Sequence, residues 1–290
     1  FNLERVIDDW VFLIFFVGND FIPSLPDFRI ADNCLEVLYK SYKETLPKMG
    51  GYLVDKGILN LNRFILLMQH LSKFEFDIFQ DKLADLRSSD CKTEGESPDD
   101  LNYSIESKPE PVSRLRQSGK DELTEVVQQL DEFELSDDDE KDEKTSLEVE
   151  FQRHRIQYYK EKFDLEDVTD DFLKQLVFNY IEALQWTLYC YHSGVPDWSW
   201  FLPYPSAAPM IFDIIRFCGN TPFEFTRNSP QLPFEQLLAV LPAGSKNLLP
   251  EPYQKLLDDL LSPIIDFYQI DDQQPGEKIR LPCIDEKRLL

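Results

Sequence analysis

Residues 3–17 read LERVIDDWVFLIFFV and predict the helix on which the fold of this chain depends. Apolar side chains recur every three or four residues along this stretch, at Leu3, Val6, Ile7, Trp10, Val11, Ile14 and Val17. A helix this apolar is expected to be buried on most of its sides. Gly18 suits its C-terminal cap, and Pro23 and Pro26 keep regular structure from resuming at once.

Most of the remaining chain also predicts helices. They are expected over residues 34–46, 61–79, 147–163 and 169–192, with shorter ones over 234–241 and 253–261. Residues 196–209 contain four prolines and two tryptophans and predict an ordered but irregular loop. No stretch alternates polar and apolar residues for long enough to form a large sheet. The expected fold class is therefore mainly α.

The negative charge of the chain is concentrated in residues 88–150. The formal net charge is −24 over 290 residues, and this interval alone holds 21 acidic and 7 basic side chains. Its composition offers too little apolar surface to offset the entropy of ordering the chain. We therefore expect a long, disordered acidic insert between two ordered blocks.

Composition and motifs exclude several classes of protein. An excess of acidic residues argues against a protein that coats nucleic acid by itself, because phosphates must be met by Lys and Arg. The longest apolar run, Trp10 to Val17, has eight residues, whereas a membrane span needs about 20. Five widely spaced cysteines form neither a disulfide framework nor a zinc motif. No glycine-rich phosphate loop is present, so no nucleotide cofactor is expected.

Asp20 is the carboxylate whose position best indicates chemistry. It follows the apolar helix directly, where rigid packing holds it, and Gly18 lets other backbone approach closely. A hard divalent cation such as Mg²⁺ is a natural partner for an aspartate held in this way. From the residues alone, a capping or turn role explains Asp20 as well.

Several motifs resemble, in the same order, those of the Xrn-type 5′→3′ exoribonucleases. ERVIDDW (4–10) with FFVGNDFIP (15–23) resembles the last acidic motif of that family. Further matches are GGY (50–52), LNLNRF (59–64), LQW (184–186), WSWFLPY (198–204), PFEQLLAVLP (233–242), SKNLLP (245–250), SPIIDFY (262–268) and IDEKRLL (284–290). These matches cover both ordered blocks. The sequences of the LQW and FEQLLAVLP motifs resemble the cytoplasmic mRNA-decay member of the family more than its nuclear paralogue.

The resemblance implies processive hydrolysis of single-stranded RNA with a 5′-monophosphate to mononucleotides. The family's core is similar to that of flap endonucleases, where clustered carboxylates hold two Mg²⁺ or Mn²⁺ ions that activate water and stabilise the leaving oxygen. Asp20 matches the last of these carboxylates and is predicted to be a catalytic metal ligand. Asp8 and Asp9 are expected to be structural or surface residues. Since the family's other carboxylates lie before Phe1, we expect an internal piece of a longer protein that is inactive alone.

The resemblance also implies an RNA-binding role for tryptophan and a division of the chain. Family members stack the 5′-terminal base on a tryptophan, a role assigned here to Trp200, with Trp198 as second choice, whereas Trp10 and Trp186 are expected in the core. Residues 1–87 would be the end of the nuclease core and the start of a helical domain. Residues 88–150 would be the insert, and residues 151–290 would continue the helical domain with its tryptophan-rich loop.

Two departures from the family pattern leave other interpretations open. The chain reads PSAAP after Tyr204, where the family has a histidine, and the segment between Tyr268 and Leu281 is short. A non-catalytic helical scaffold, whose acidic insert recruits partners, is the alternative to the enzyme. The predicted location is the cytoplasm, with decapping proteins of mRNA decay as possible partners, and a nuclear paralogue is the second choice.

Overall fold

A computed structural model describes residues 2–30, 33–90, 139–219, 222–268 and 284–289 of the chain. The helices are α1 (Leu3–Ile14), α2 (Cys34–Met49), α3 (Leu61–Asp90), α4 (Asp139–Phe163), α5 (Asp170–Ser193), α6 (Ile211–Phe217), α7 (Pro233–Val240), α8 (Glu251–Asp258) and α9 (Glu286–Leu289). Short 3₁₀ helices cover Phe15–Val17, Ala243–Leu248 and Ile265–Tyr268. Strands β1 (Val54–Asp55) and β2 (Ile58–Leu59) pair antiparallel, with Val54 opposite Leu59. The predicted mainly α fold class is confirmed.

The chain divides into two compact units. The first contains Phe1–Val195 and Phe201–Glu224, and the second contains Pro196–Trp200 and Phe225–Leu290. Helices α1–α6 and the hairpin belong to the first unit, and α7–α9 belong to the second. The predicted boundaries at residues 87 and 150 stay a prediction. Among the described residues, no helix has the length and apolarity needed to cross a membrane.

Both ends of the predicted acidic insert are helical. Helix α3 continues to Asp90 and α4 begins at Asp139, so residues 88–90 and 139–150 belong to helices. Once a helix is nucleated, each added residue gains a hydrogen bond, and acidic residues suit a helix N-terminus. The predicted disorder of residues 91–138 lies outside the described part of the chain.

Helix α1 buries one side and exposes the other. Phe12 and Phe16 are fully buried, and Phe12 packs edge-on against Phe16 and Phe64 of α3 at centroid distances of 5.4 and 6.1 Å. Leu3 and Ile14, however, are 70% and 50% exposed. The prediction that α1 is buried on most sides was therefore wrong. Apolar residues occur on both sides of this helix, but only the side with the phenylalanines packs into the core of the first unit.

Two buried polar side chains attach the hairpin to the helices. Asp9 of α1 accepts hydrogen bonds from the Tyr42 hydroxyl (2.6 Å) and the Leu53 and Val54 N–H groups (2.9 and 2.8 Å). Burial raises the pKa of Asp9 above its ordinary value. From α5, the Gln185 amide accepts from Leu59 N and donates to Gly57 O, at 2.9 and 2.8 Å. Asp9 is therefore structural, as predicted.

A buried ionic network joins α4 to α6. The Asp213 carboxylate, which is fully buried, pairs with Arg155 and accepts a hydrogen bond from the Tyr159 hydroxyl at 2.7 Å. That hydroxyl in turn accepts from Met210 N at 2.9 Å. Burial raises the pKa of Asp213, and the Arg155 guanidinium opposes that rise. The network thus fixes α6 against a helix that lies more than fifty residues earlier in sequence.

Glu75 of α3 holds the first turn of α6. Its two carboxylate oxygens accept from Ile211 N (2.8 Å) and Phe212 N (3.0 Å), two of the N–H groups that a helix start leaves without an internal partner. The side chain is 4% exposed, and burial raises the pKa of Glu75 to about 7. Around this contact lies one apolar cluster of the first unit, made by Phe79, Phe151, Tyr159, Leu173, Leu176 and Met210.

The second unit has a smaller core. Leu238, Leu249 and Leu257 form its buried cluster, and the Tyr268 hydroxyl donates to Leu238 O at 2.7 Å. Arg288 of α9 pairs with Asp266 through contacts of 2.7 and 2.8 Å. These side chains are exposed, so the ion pair orients the segment while the leucines supply most of the stability.

Candidate functional site

Asp20 lies exposed on a tight turn that follows the 3₁₀ extension of α1. The turn begins at Gly18, whose φ of 87° favours glycine and whose N–H donates to Phe15 O at 3.0 Å. A Cβ at Gly18 would lie 2.8 Å from Ser24 N, so a larger residue would collide with backbone. The predicted role of Gly18 as the cap of the preceding helix is confirmed.

Hydrogen bonds and buried anchors fix the backbone on both sides of Asp20. Asn19 Oδ1 accepts from Phe21 N (2.9 Å) and Ile22 N (3.1 Å), and Asn19 N donates to Ile22 O at 3.0 Å. Ile22 and Leu25 are 2% and 1% exposed, and Leu25 N donates to Phe16 O at 2.9 Å. The Asp20 side chain thus reaches solvent from a backbone with little freedom to move.

Asp20 can serve as one ligand of a metal centre but cannot form one with its neighbours. Among the described residues, no group of three or more His, Cys, Asp or Glu side chains lies close enough to hold a metal ion. Mg²⁺ prefers oxygen ligands and is usually bound by one or two carboxylates together with water and substrate phosphates. An exposed carboxylate on a rigid turn fits that chemistry. The predicted metal role of Asp20 stays a prediction.

The turn meets the LQW motif, which the sequence alone did not indicate. Phe21 packs edge-on against Trp186 of α5 at a centroid distance of 5.3 Å. Trp186 is 7% exposed, which confirms its predicted place in the core, whereas Trp10 is half-buried and stacks on Tyr39 at 5.7 Å. Helix α5 thus carries Gln185 to the hairpin and the adjacent Trp186 to the turn that bears Asp20.

Asn19 is a candidate residue that the sequence-based reasoning missed. Asparagine accepts hydrogen bonds from the backbone N–H groups two and three residues later, and this habit makes it frequent in turns. The Gly-Asn-Asp order at residues 18–20 contained that signal. The sequence could not show that Asn19 forms this turn; the structure shows it, because Oδ1 accepts from both N–H groups.

The two tryptophans of the WSW motif differ in their surroundings. Trp198 is 51% exposed, whereas Trp200 is half-buried and meets Phe225 edge-on at 6.3 Å. Both lie in the second unit, while Asp20 lies in the first. The segment is irregular, as its prolines predicted. The RNA-stacking roles of Trp200 and Trp198 stay predictions.

A buried aspartate holds the backbone around Trp198. Asp197 accepts from Ser199 N (2.9 Å), Asn228 Nδ2 (2.8 Å) and Thr226 N (3.1 Å). Trp198 N donates to Asn228 Oδ1 at 2.6 Å. Burial works to raise the pKa of Asp197, but the hydrogen bonds that its carboxylate accepts from Ser199, Asn228 and Thr226 together hold the pKa below its ordinary value. The Trp198 ring is therefore exposed on a backbone that is well fixed.

Comparison with known proteins extends over the whole chain. The profile of the Xrn1 helical domain family matches residues 1–290. The 5′-3′ exoribonuclease 1 of Homo sapiens is 38% identical over 308 aligned residues, which cover 100% of this chain and 18% of that protein. The 5′-3′ exoribonuclease 2 homolog of Drosophila melanogaster is 35% identical, over 100% of this chain and 34% of its own length.

A more distant relative gives the same picture. The 5′-3′ exoribonuclease 1 of Saccharomyces cerevisiae is 27% identical, over 100% of this chain and 25% of its own length. The chain therefore spans between 18% and 34% of the length of these three curated relatives. The match to the family profile extends over residues 1–290 and therefore includes both the turn at Asp20 and the WSW motif. This chain belongs to the Xrn1 helical domain family.

Proposed function

We propose that this chain is part of a 5′→3′ exoribonuclease and supplies the Asp20 carboxylate to its metal centre. The observation that carries the proposal is the exposed Asp20 on a turn fixed by Gly18 and Asn19. That turn lies in a chain whose full length matches the family and whose relatives are named 5′-3′ exoribonucleases.

The proposed chemistry assigns Asp20 a limited part. A pair of Mg²⁺ or Mn²⁺ ions supplies an activated water and stabilises the leaving oxygen of the phosphodiester. Asp20 contributes carboxylate oxygen to that pair, and the turn keeps it in place before the metal binds. Because one carboxylate cannot hold two ions, the proposed centre also includes carboxylates from outside the described residues.

The proposed substrate is single-stranded RNA with a 5′-monophosphate, degraded processively to mononucleotides. Residues outside 88–150 carry 33 acidic and 23 basic side chains, so the cationic groups that meet RNA phosphates are expected from other parts of the protein. Action in cytoplasmic mRNA decay, beside decapping proteins, stays part of the proposal and is not needed for its test.

The substrate can be tested with two RNAs that differ only at the 5′ end. A full-length protein carrying this domain is incubated with Mg²⁺ and either 5′-phosphorylated or 5′-hydroxyl RNA labelled at the 3′ end. We expect mononucleotides from the phosphorylated RNA and a rate at least about 100 times lower for the hydroxyl form. A site built to bind a charged group is left with unpaired polar groups when that group is missing.

Two results would contradict the proposed activity. Equal rates for both RNAs would exclude recognition of the 5′-phosphate. No hydrolysis with Mg²⁺ or Mn²⁺ would favour the non-catalytic scaffold. When Asp20 itself is replaced, Asp8→Asn is the matched control, because it removes a negative charge from the same motif.

We also propose that the WSW loop contacts the RNA. Because Trp198 is exposed and Trp200 is half-buried, we propose Trp198 as the main stacking residue, in place of Trp200, which the motif favoured. Trp198→Ala is expected to weaken RNA binding about 5- to 150-fold, because one stacked base contributes about 1–3 kcal/mol. Trp200→Ala is expected to change affinity less, since Trp200 packs against Phe225. Affinity is measured for single-stranded RNA in the presence of EDTA, with Trp198→Phe as the variant that keeps a ring. Unchanged affinity of Trp198→Ala would exclude stacking on this residue.

A further inference from the structure

Asn19 is placed to control the geometry of the carboxylate that follows it. We propose that Asn19 is a positioning residue, whose side-chain oxygen holds Asp20 in the orientation needed to bind a divalent metal. This inference rests on the proposed metal role of Asp20. It adds to that role a residue that never touches the metal itself.

The hydrogen bonds of Asn19 act on the peptide next to Asp20. The Phe21 N–H belongs to the peptide bond that joins Asp20 to Phe21, and it donates to Asn19 Oδ1 at 2.9 Å. The same oxygen accepts from Ile22 N at 3.1 Å, while Asn19 N donates to Ile22 O at 3.0 Å. Rotation about the Cα–C bond of Asp20 would break the first of these bonds. Asn19 therefore restrains the backbone from which the Asp20 side chain extends.

Contacts on both sides of the turn keep Asn19 itself in place. Gly18 enters at a φ that favours glycine, and a Cβ there would meet Ser24 N at 2.8 Å. Ile22, which leaves the turn, is 2% exposed. An exposed loop without these anchors would let the carboxylate sample many positions, and each would have to be lost on binding a metal.

The chemistry of Asn19 fits a role beyond turn stability. Its Nδ2 atom is buried and has no hydrogen-bond partner among the described residues. A buried donor without a partner costs stability, so stability alone does not explain an amide here, whose Nδ2 adds such a donor to the acceptor that the turn uses. Asparagine differs from aspartate in adding no second negative charge beside Asp20. It combines the acceptor that the turn needs with a neutral side chain.

The test measures metal binding directly, in a full-length protein carrying this domain and without RNA. Mn²⁺ affinity is determined by electron paramagnetic resonance for Asn19→Ala, Asn19→Ser, Asn19→Asp and Asp20→Asn, and thermal unfolding is followed in parallel. We expect Asn19→Ala to weaken Mn²⁺ binding about 10- to 100-fold, as is typical when a group that orients a ligand is removed. Asn19→Asp keeps the acceptor and adds a negative charge that attracts a cation, so we expect it to bind Mn²⁺ at least about one third as tightly as the wild type. Asn19→Ser, a weaker acceptor, is expected to lie between them.

Asn2→Ala is the matched control. Asn2 Oδ1 accepts from Glu4 N at 3.1 Å at the other end of α1, so its loss removes the same kind of hydrogen bond far from Asp20. We expect this variant to lower the unfolding temperature as Asn19→Ala does, with Mn²⁺ affinity unchanged. If Asn19→Ala fails to fold, the comparison of Asn19→Ser with Asn19→Asp carries the test.

The outcomes separate this inference from the proposed function. Wild-type Mn²⁺ binding by Asn19→Ala, or equal weakening by Asn19→Ala and Asn2→Ala, overturns the positioning role. Binding by Asn19→Asp that is as weak as that of Asn19→Ala also overturns it, because the acceptor would then not matter. Unchanged Mn²⁺ binding by Asp20→Asn, in contrast, overturns the proposed metal role of Asp20 itself.

Discussion

Asp20→Asn in a full-length protein carrying this domain is expected to slow RNA hydrolysis at least about 1,000-fold and to leave the fold intact. An amide supplies a weaker oxygen ligand without the negative charge, and metal ions contribute several kcal/mol of transition-state stabilisation, where each 1.36 kcal/mol is a factor of ten. The fold is expected to survive because Asp20 is exposed and the turn is held by Gly18 and Asn19.

The measurement is steady-state hydrolysis of 5′-phosphorylated RNA at saturating Mn²⁺, together with thermal unfolding. Saturating metal matters, because a variant that only binds metal more weakly would recover activity there. The Asp8→Asn variant, in the same motif and on α1, is expected to keep wild-type turnover. Wild-type turnover by Asp20→Asn at saturating Mn²⁺ would show that this carboxylate is not needed for the chemical step.

Arg155→Met is expected to destabilise the first unit by about 3–5 kcal/mol, the usual cost of removing one partner from a buried ion pair. Asp213 is fully buried and would lose its ion-pair partner, while it would keep the Tyr159 hydrogen bond and the electrostatic attraction of Arg216. Methionine has a volume close to that of the arginine stem, so the loss would report the charge more than the packing. Urea unfolding of the 290-residue chain measures the change.

The pH dependence of this variant identifies the cause. Burial raises the pKa of Asp213 and Arg155 opposes that rise, so removing Arg155 raises the pKa further. A carboxyl whose pKa is raised by folding stabilises the fold less as pH increases, because the unfolded chain loses its proton first. The loss of stability caused by Arg155→Met is therefore expected to shrink as pH falls toward 4.

Arg153→Met replaces an exposed arginine on the same helix and is expected to change stability by less than about 0.5 kcal/mol at any pH. A deficit independent of pH would assign the effect to packing.

The positions of most helices could be predicted because their signals are local. The predicted helix over 169–192 is observed as Asp170–Ser193, and Thr169 caps it by accepting from Phe172 N at 3.2 Å. The predicted helix over 61–79 reaches Asp90, since nothing in the sequence stops it there. The exposed apolar side of α1 was not predicted, because periodicity locates an apolar side without saying whether a partner covers it.

The candidate site could be predicted in part. Motif resemblance indicated Asp20 and the two tryptophans, but not the support beneath them. Asn19 and Asp197 hold the backbone next to Asp20 and Trp198, and Trp186 packs against Phe21. These contacts depend on segments distant in sequence or on the geometry of a turn. A short motif indicates which side chain is a candidate for binding, whereas the orientation of that side chain depends on the residues that pack around it.

The sequence by itself determined the mainly α fold class, the family and the position of Asp20 after an apolar helix, because these follow from local periodicity and short motifs. Only the tertiary structure decided where α6 begins. Its first N–H groups donate to Glu75, which lies 136 residues earlier, and a buried carboxylate is stable there only if such donors meet it. Seven residues are too few to form a helix without this support, so no local signal announced Ile211–Phe217.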